Sequence, residues 1–335
     1  MPFARRALLA LALLTSSTLT LMTPAAQAAP VSAQAGRSSV SVLTFNVCGH
    51  AKGCGSFSKR EGAVVKRILA SKADVVNVQE GWGVLDRIGQ RLAPHGYLFV
   101  ASSGNEGIFA KASKISAVTT SETVTSCRRD RIYAGPETDT TGWEPPSHTD
   151  ESGVRWRTDE NSAWYRKGDV CTDQVVVTPK NGQVSLGPSG RAGATWAMLR
   201  VKRTNKTYLF VSAHLTTGKD KVARKRSGET VRLLAAIAKV AEGRPQVFAG
   251  DFNSSIQRGK DTVGKRFKAR GFADSYTKAR KRTATKYNSA TGWGKKPRVG
   301  GSHIDRVFLP RGATASRWAL DVKTRRGKSV KPIPS

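Results

Sequence analysis

Gln246-Val247-Phe248-Ala249-Gly250-Asp251-Phe252-Asn253 is the stretch on which the reading of this chain turns. A short apolar run that stops at glycine and two polar side chains reads as a buried strand running into a loop. In layered α/β domains a rigid sheet aims polar side chains from such strand ends, and ligand sites gather there. The same pattern recurs outward along the chain. Val42-Leu43-Thr44-Phe45 ends at Asn46, Val75 to Gln79 ends at Glu80, Leu209 to Ala213 ends at His214, and Asp305 opens Arg306-Val307-Phe308-Leu309. Any one of these polar residues is explained by a turn or a helix cap. Their recurrence in one order points to chemistry.

The intervening segments fit a layered α/β domain. Helical spacing of apolar residues marks Lys59–Ala70, Val84–Leu92 and Thr230–Val240. Strands are expected at Val40–Phe45, Asp74–Gln79, Tyr97–Ser102, Gly107–Lys111, Gln246–Ala249 and Ile304–Leu309. Thr195–Val201 and Tyr208–Ala213 read as a hairpin turning at Lys202–Lys206, and Gly135–Gly153 reads as an exposed loop. Trp156 and Trp164 are expected to pack on the core. No repeat of solenoid period is present.

The amino terminus reads as an export signal. Arg5 and Arg6 precede an apolar run from Ala7, and Ala26-Gln27-Ala28 has the small-x-small form of a cleavage site. The expectation is a signal peptide over 1–28, a linker over 29–38, a domain over 39–335, and a secreted monomer with no stable membrane span. In such a chain the four cysteines are expected as disulfides Cys48–Cys54 and Cys127–Cys171. A zinc site is the weaker alternative, lacking a tight Cys-x-x-Cys pair.

The net charge is +32, and from Arg200 to Ser335 there are 34 Lys and Arg against 8 Asp and Glu. Such a field concentrates polyanions, whether nucleic acid or anionic lipid. Lys221–Arg226 and Lys278–Arg282 are dense basic runs expected to border the cleft. The strand-end residues suit phosphodiester hydrolysis. Glu80 is a hard oxygen donor for Mg²⁺. Asn46, His214 and Asn253 can stabilise charge on phosphoryl oxygens, and Asp251 can orient water or share in metal binding.

Leu43-Thr44-Phe45-Asn46, Val78-Gln79-Glu80, Ser212-Ala213-His214-Leu215, Gly250-Asp251-Phe252-Asn253 and His303-Ile304-Asp305-Arg306-Val307-Phe308 together resemble the endonuclease/exonuclease/phosphatase superfamily, in its deoxyribonuclease I-like form. The resemblance implies an α/β (α+β) fold, a four-layer sandwich of two packed β-sheets flanked by helices. It implies Asn46 and Glu80 in a site for Mg²⁺, with Mn²⁺ or Ca²⁺ as alternatives. It implies Asn46, His214 and Asn253 on the phosphate, and His214, Asp251, Asn253 and Asp305 in catalysis. Glu106 matches a carboxylate that orients the histidine.

The family normally carries Ser-Asp-His after the Ile-Asp strand, whereas this sequence reads Lys331-Pro332-Ile333-Pro334-Ser335 there. The expectation is a domain cut short, binding substrate and metal but hydrolysing weakly. A degenerate enzyme, His214 acting alone, or His303 as a stand-in are the alternatives. The functional expectation is a secreted metal-dependent nuclease acting on DNA or RNA. The alternatives are a sphingomyelinase-like phospholipase C, or a non-catalytic nucleic-acid-binding protein.

Overall fold

Alternation along each strand builds the domain. In the computed structural model the described residues are 39–49, 54–133, 147–149, 155–158, 164–187, 192–218, 220–290, 297–322, 324–325 and 328–329. The expected export signal and linker lie outside them.

The chain opens with β1 (Val42–Asn46), α1 (Glu61–Ser71), β2 (Val75–Gln79), α2 (Leu85–Leu92), β3 (Tyr97–Ser102) and β4 (Gly107–Lys111). The four strands form one sheet in the order β1-β2-β4-β3, with β1 and β2 parallel. Then come β5 (Ile115–Ala117), β6 (Thr119–Tyr133), β7 (Ser147–Thr149), β8 (Arg155–Thr158) and β9 (Trp164–Pro179). Strands β6 to β9 make a separate sheet, ordered β6-β9-β8-β7. The long antiparallel pair β6 and β9 was not expected from the sequence. Most of the expected loop at Gly135–Gly153 lies outside the described residues, but Ser147–Thr149 within it is strand, paired to β8. The register sets Cys127 opposite Cys171, the separation a cross-strand disulfide requires. Their side chains, and those of Trp156 and Trp164, lie outside the described ones.

The second half supplies β10 (Asn181–Ser185), β11 (Gly193–Val201), β12 (Lys206–His214), α3 (Ala223–Val240), β13 (Gln246–Asp251), α4 (Thr262–Ala269), β14 (Ala273–Asp274), α5 (Ser275–Lys278), β15 (Ala279–Thr283), β16 (Asp305–Leu309) and β17 (Ala315–Ala319). The main sheet runs β10-β11-β12-β13-β16-β14, with β5 on β11. The expected hairpin is present as the antiparallel β11 and β12. Helix α3 begins at Ala223, earlier than the expected Thr230, and so takes in the basic run.

Period two along the strands divides the core into three layers. Val75, Ile108, Leu199, Phe210 and Val247 meet between the two sheets. Val76 and Val78 face outward onto Val64, Ile68 and Ile88 of α1 and α2. Val211, Phe248 and Phe308 face the other way, onto Leu233, Ile237 and Phe267 of α3 and α4. Helix, sheet, sheet, helix is the four-layer sandwich that the resemblance implied. Among the described residues no helix is long and apolar enough to cross a membrane.

Candidate active site

The same alternation assembles the site. Phe210 and Val247 face the inner layer, so Ser212 and His214 on β12, and Ala249 and Asp251 on β13, face it too. Val42 and Val307 likewise border that layer, which puts Asn46 and Asp305 on the inner faces of β1 and β16. Strands β12 and β13 are parallel, with His214 opposite Asp251. Strand β16 is antiparallel to β13, with Asp305 opposite Asp251. Polar side chains from both sheets therefore meet at one edge of the sandwich.

Backbone constraints fix the edge. A Cβ on Gly250 would sit 1.9 Å from the Ala213 carbonyl oxygen, so no larger residue fits between β12 and the start of Asp251-Phe252-Asn253. Glu80 has φ 53° and Asn253 φ 49°. Left-handed backbone is ordinary for asparagine but uncommon for glutamate, and such residues concentrate at functional sites. The Glu80 turn is held by Gly49 N–H donating to the Glu80 carbonyl at 2.6 Å and by Gly81 N–H donating to the Asn105 carbonyl at 2.8 Å. The disulfide Cys48–Cys54 closes the adjoining loop as expected. Arg60 donates from the far side of that loop to the carbonyls of Val47 and Cys48.

Asn46 joins the two sheets. Its amide nitrogen donates to Glu80 at 2.8 Å and to Asp251 at 3.2 Å, while its oxygen accepts from the Cys48 N–H. In this placement the amide orients two carboxylates; binding a cation would use the remaining lone pair of its oxygen or a turned-over amide. His214 is buried, and neither ring nitrogen has a hydrogen-bond partner. Its Nε2 lies 3.8 Å from Glu80 and 3.9 Å from Asp251, so an unpartnered ring nitrogen faces the gap between two carboxylates. Unsatisfied buried polar groups are rare and call for a cause.

Asp305 is another such group at this edge. Its Oδ1 is buried and unpartnered. Burial, reinforced by the charge of Asp251, pushes its carboxyl well above the ordinary value. Glu106 is also buried, one oxygen accepting from Ser103 at 2.5 Å and the other unpartnered. Burial raises its pKa, and the Ser103 hydrogen bond opposes that rise. Glu106 comes within 3.2 Å of where a Gly193 side chain would begin, and Gly193 is the register partner of His214. The resemblance matched Glu106 to a carboxylate that orients the histidine; the structure buries it against Gly193, with no hydrogen bond to the His214 ring.

Asn253 is engaged differently from expectation. Its amide nitrogen donates to the Leu215 carbonyl at 2.9 Å, and its backbone N–H donates to Asp251 at 2.9 Å. Its amide nitrogen also reaches the Thr217 hydroxyl at 3.5 Å, so Asn253 braces the loop after His214 through both amide hydrogens. His303 is excluded as a stand-in base. Its ring packs against Tyr276 and Trp318, Nε2 lies 3.1 Å from the Thr285 carbonyl, and Nδ1 is 3.4 Å from Gln257. Burial holds its pKa below the ordinary value.

Residues not singled out from sequence complete the frame. Gln79 donates to Ser212 across the two sheets at 2.9 Å. Buried Glu229 accepts from the Thr216 backbone, and buried Arg226 donates to the Gly218 carbonyl at 2.9 Å. Buried Arg306 is bidentate to Asp261 at 2.7 and 3.1 Å and reaches Asp274 at 2.7 Å. Gln79 and Arg306 lie at strand ends, whereas Arg226 and Glu229 lie in α3 and gave no advance signal.

Whether these donors suit a cation is answered by their chemistry. Among the described residues no three His, Cys, Asp or Glu side chains form a ready metal cage. Mg²⁺ does not ask for one, because it takes one or two carboxylates and keeps several waters. Glu80, partly exposed beside Asn46 and Asp251, offers that set. Among the described residues the cysteines beside it, Cys48 and Cys54, are joined in the disulfide and offer no thiolate.

Two packed sheets flanked by helices, with Asn, Glu, His and Asp meeting at one edge, define a phosphoesterase-type sandwich. The chain belongs to the endonuclease/exonuclease/phosphatase family, whose model matches residues 43–324. Members are usually phosphoesterase hydrolases and generally depend on a divalent metal. Solved structures share the fold. A mannosyl-6-phosphatase of Bacteroides thetaiotaomicron VPI-5482 is 16% identical, with a TM-score of 0.51, over 87% of this chain and 95% of that one. An endonuclease/exonuclease/phosphatase protein of Bacteroides vulgatus is also 16% identical, with a TM-score of 0.52, over 87% and 95%. A conserved protein of unknown function from Enterococcus faecalis V583 is 14% identical, with a TM-score of 0.52, over 88% and 95%. No curated protein matches the chain in sequence.

Proposed function

We propose that this chain is a secreted, Mg²⁺-dependent phosphodiesterase whose substrate is nucleic acid. The observation that carries the reading is His214, whose unpartnered Nε2 faces the gap between Glu80 and Asp251, in a half-chain carrying 34 basic against 8 acidic residues. Left empty, the gap sets carboxylates against each other and strands a buried imidazole. A cation and a phosphate satisfy every one of these groups. Glu80, with Asn46 and Asp251 beside it, would hold the divalent ion, which would supply neutralisation of the phosphoryl oxygens. His214 donates to a non-bridging oxygen, and Asn253, held by Leu215 and at 3.5 Å by Thr217, exchanges the long Thr217 contact for another. Asp251, fixed by the Asn253 N–H and by Asn46, orients the attacking water. Asp305 offers an acceptor beside it through its bare Oδ1. The basic half supplies attraction for a polyanion that a small ester does not require.

The test is to incubate the protein with single- and double-stranded DNA and with RNA, in Mg²⁺ and in EDTA. Internal or terminal scission of at least one polymer in Mg²⁺, abolished by EDTA, is expected. No scission of any polymer, alongside hydrolysis of a phosphomonoester or of sphingomyelin, would overturn the nuclease assignment.

A further inference from the structure

Two loops leave the site together. One runs from His214 to α3 and the other from Asn253 to α4. At the site end Asn253 ties them by donating to the Leu215 carbonyl, and at the far end the Thr262 hydroxyl donates to the Ala223 carbonyl at 2.9 Å. Between the far ends lies an open groove of about 440 Å³ lined by Lys221, Ala223, Arg224, Ser227, Lys260 and Thr262. Three of the six are cations and two carry hydroxyls. Among the described residues none of Lys221, Arg224 and Lys260 forms an ion pair. Asp261, adjoining Lys260 in sequence, is spoken for by Arg306, Ser254 and the Gly264 N–H.

The helices make this arrangement harder to explain as a solvated surface. Both α3 and α4 begin at the groove, and neither has an acidic residue in its first turn. Helix N-termini carry partial positive charge from unpaired N–H groups, and basic side chains there are electrostatically unfavourable. Arg224, Lys225 and Arg226 nonetheless occupy the first turn of α3. Asp261 caps α4, and the Thr262 and Ser227 hydroxyls are engaged by Ala223 and Arg266, so three unpaired cations beside the start of α3 form the receptor for an anion.

We propose that this groove is a second phosphate subsite, which takes a backbone phosphate of a polynucleotide whose scissile phosphate lies at His214. The inference rests on the nuclease reading and adds a defined path for the strand. Each loop spans seven residues from its site residue to its lysine, His214 to Lys221 and Asn253 to Lys260. Fully extended that is roughly 25 Å at most. At about 3.4 Å of rise per nucleotide, the subsite lies within roughly seven nucleotides of the cleaved bond. Oligonucleotides too short to reach it bind only at the centre, and longer ones bind at both places.

The experiment measures binding, so it does not depend on catalysis. Affinities of the full chain for oligonucleotides of 2 to about 12 nucleotides are determined in EDTA over a range of salt concentrations. The same is done for the combined substitution K221A/R224A/K260A and for the charge-keeping K221R/R224K/K260R, with thermal midpoints to show that both are folded. The parent's affinity is expected to step up by tenfold or more once the oligonucleotide spans the groove. The alanine variant should lose that step, and its log–log salt slope should shrink by about 0.7 for each single-strand phosphate contact removed. The charge-keeping variant should retain the step. An alanine variant with the parent's length dependence and salt slope overturns the subsite. So does one that keeps oligonucleotide binding but loses adsorption to phosphatidylserine vesicles, which would assign the groove to a lipid surface. If oligonucleotides bind with the expected step but are not cleaved in Mg²⁺, the subsite stands and the catalytic reading fails.

Discussion

At the scale of single residues, backbone space decides as much as chemistry does. Gly250 is required because strand β12 passes where its side chain would be, 1.9 Å from the Ala213 carbonyl. Gly250→Ala must push apart the two strands that carry His214 and Asp251. Overpacking of this kind typically destabilises by about 1–3 kcal/mol, and a urea denaturation midpoint reads it directly. The variant should also lose activity out of proportion to its stability, since the displaced strands carry the site. Parent-like stability would mean that the sheet accommodates the methyl group, and the close approach would then have no structural role. The chemically telling residues were legible beforehand because they are polar where a strand ought to end. Arg226 and Glu229 were not legible. Buried charges on a helix read in sequence as a solvated face, and only the fold shows them gripping the loop after His214.

At the scale of elements, Arg306 holds the second sheet to its loops through Asp261 and Asp274. Burial alone would raise the Asp261 carboxyl, but the Arg306 guanidinium and the Gly264 N–H outweigh it and hold the pKa below the ordinary value. A depressed carboxyl contributes stability that is complete above its unfolded pKa, near 3.9, and lost as pH falls through the folded value. The difference in stability between the parent and Asp261→Asn isolates this group, and it should be level from neutral pH to about 5 and shrink below about 4. On the plateau the substitution should cost roughly 1–3 kcal/mol, since Arg306 keeps Asp274 as a partner. A difference as large at pH 3 as at pH 7 would contradict this account. Element positions followed well from apolar spacing, with strands at Tyr97–Ser102 and Gly107–Lys111 falling where expected. The long pair β6 and β9 was missed for a physical reason. Its residues, Thr119–Tyr133 and Trp164–Pro179, are mostly polar and threonine-rich. Backbone pairing in such a sheet needs no apolar alternation to form.

At the scale of the whole molecule, the central claim is that two separately built sheets contribute to one reaction centre. Glu80 comes from the loop after β2 in the first sheet and Asp251 from β13 in the second, and Asn46 bonds both. If they serve one cation and one phosphate, removing either disables the same step, and removing both adds little. The direct measurement is kcat/KM for Mg²⁺-dependent cleavage of an oligonucleotide by the parent, Glu80→Gln, Asp251→Asn and the double variant. Each single substitution should cost on the order of 10²–10³ in rate, with the double variant about as slow as the slower single one. A double variant slowed by the product of the two losses would show independent contributions and contradict a shared centre.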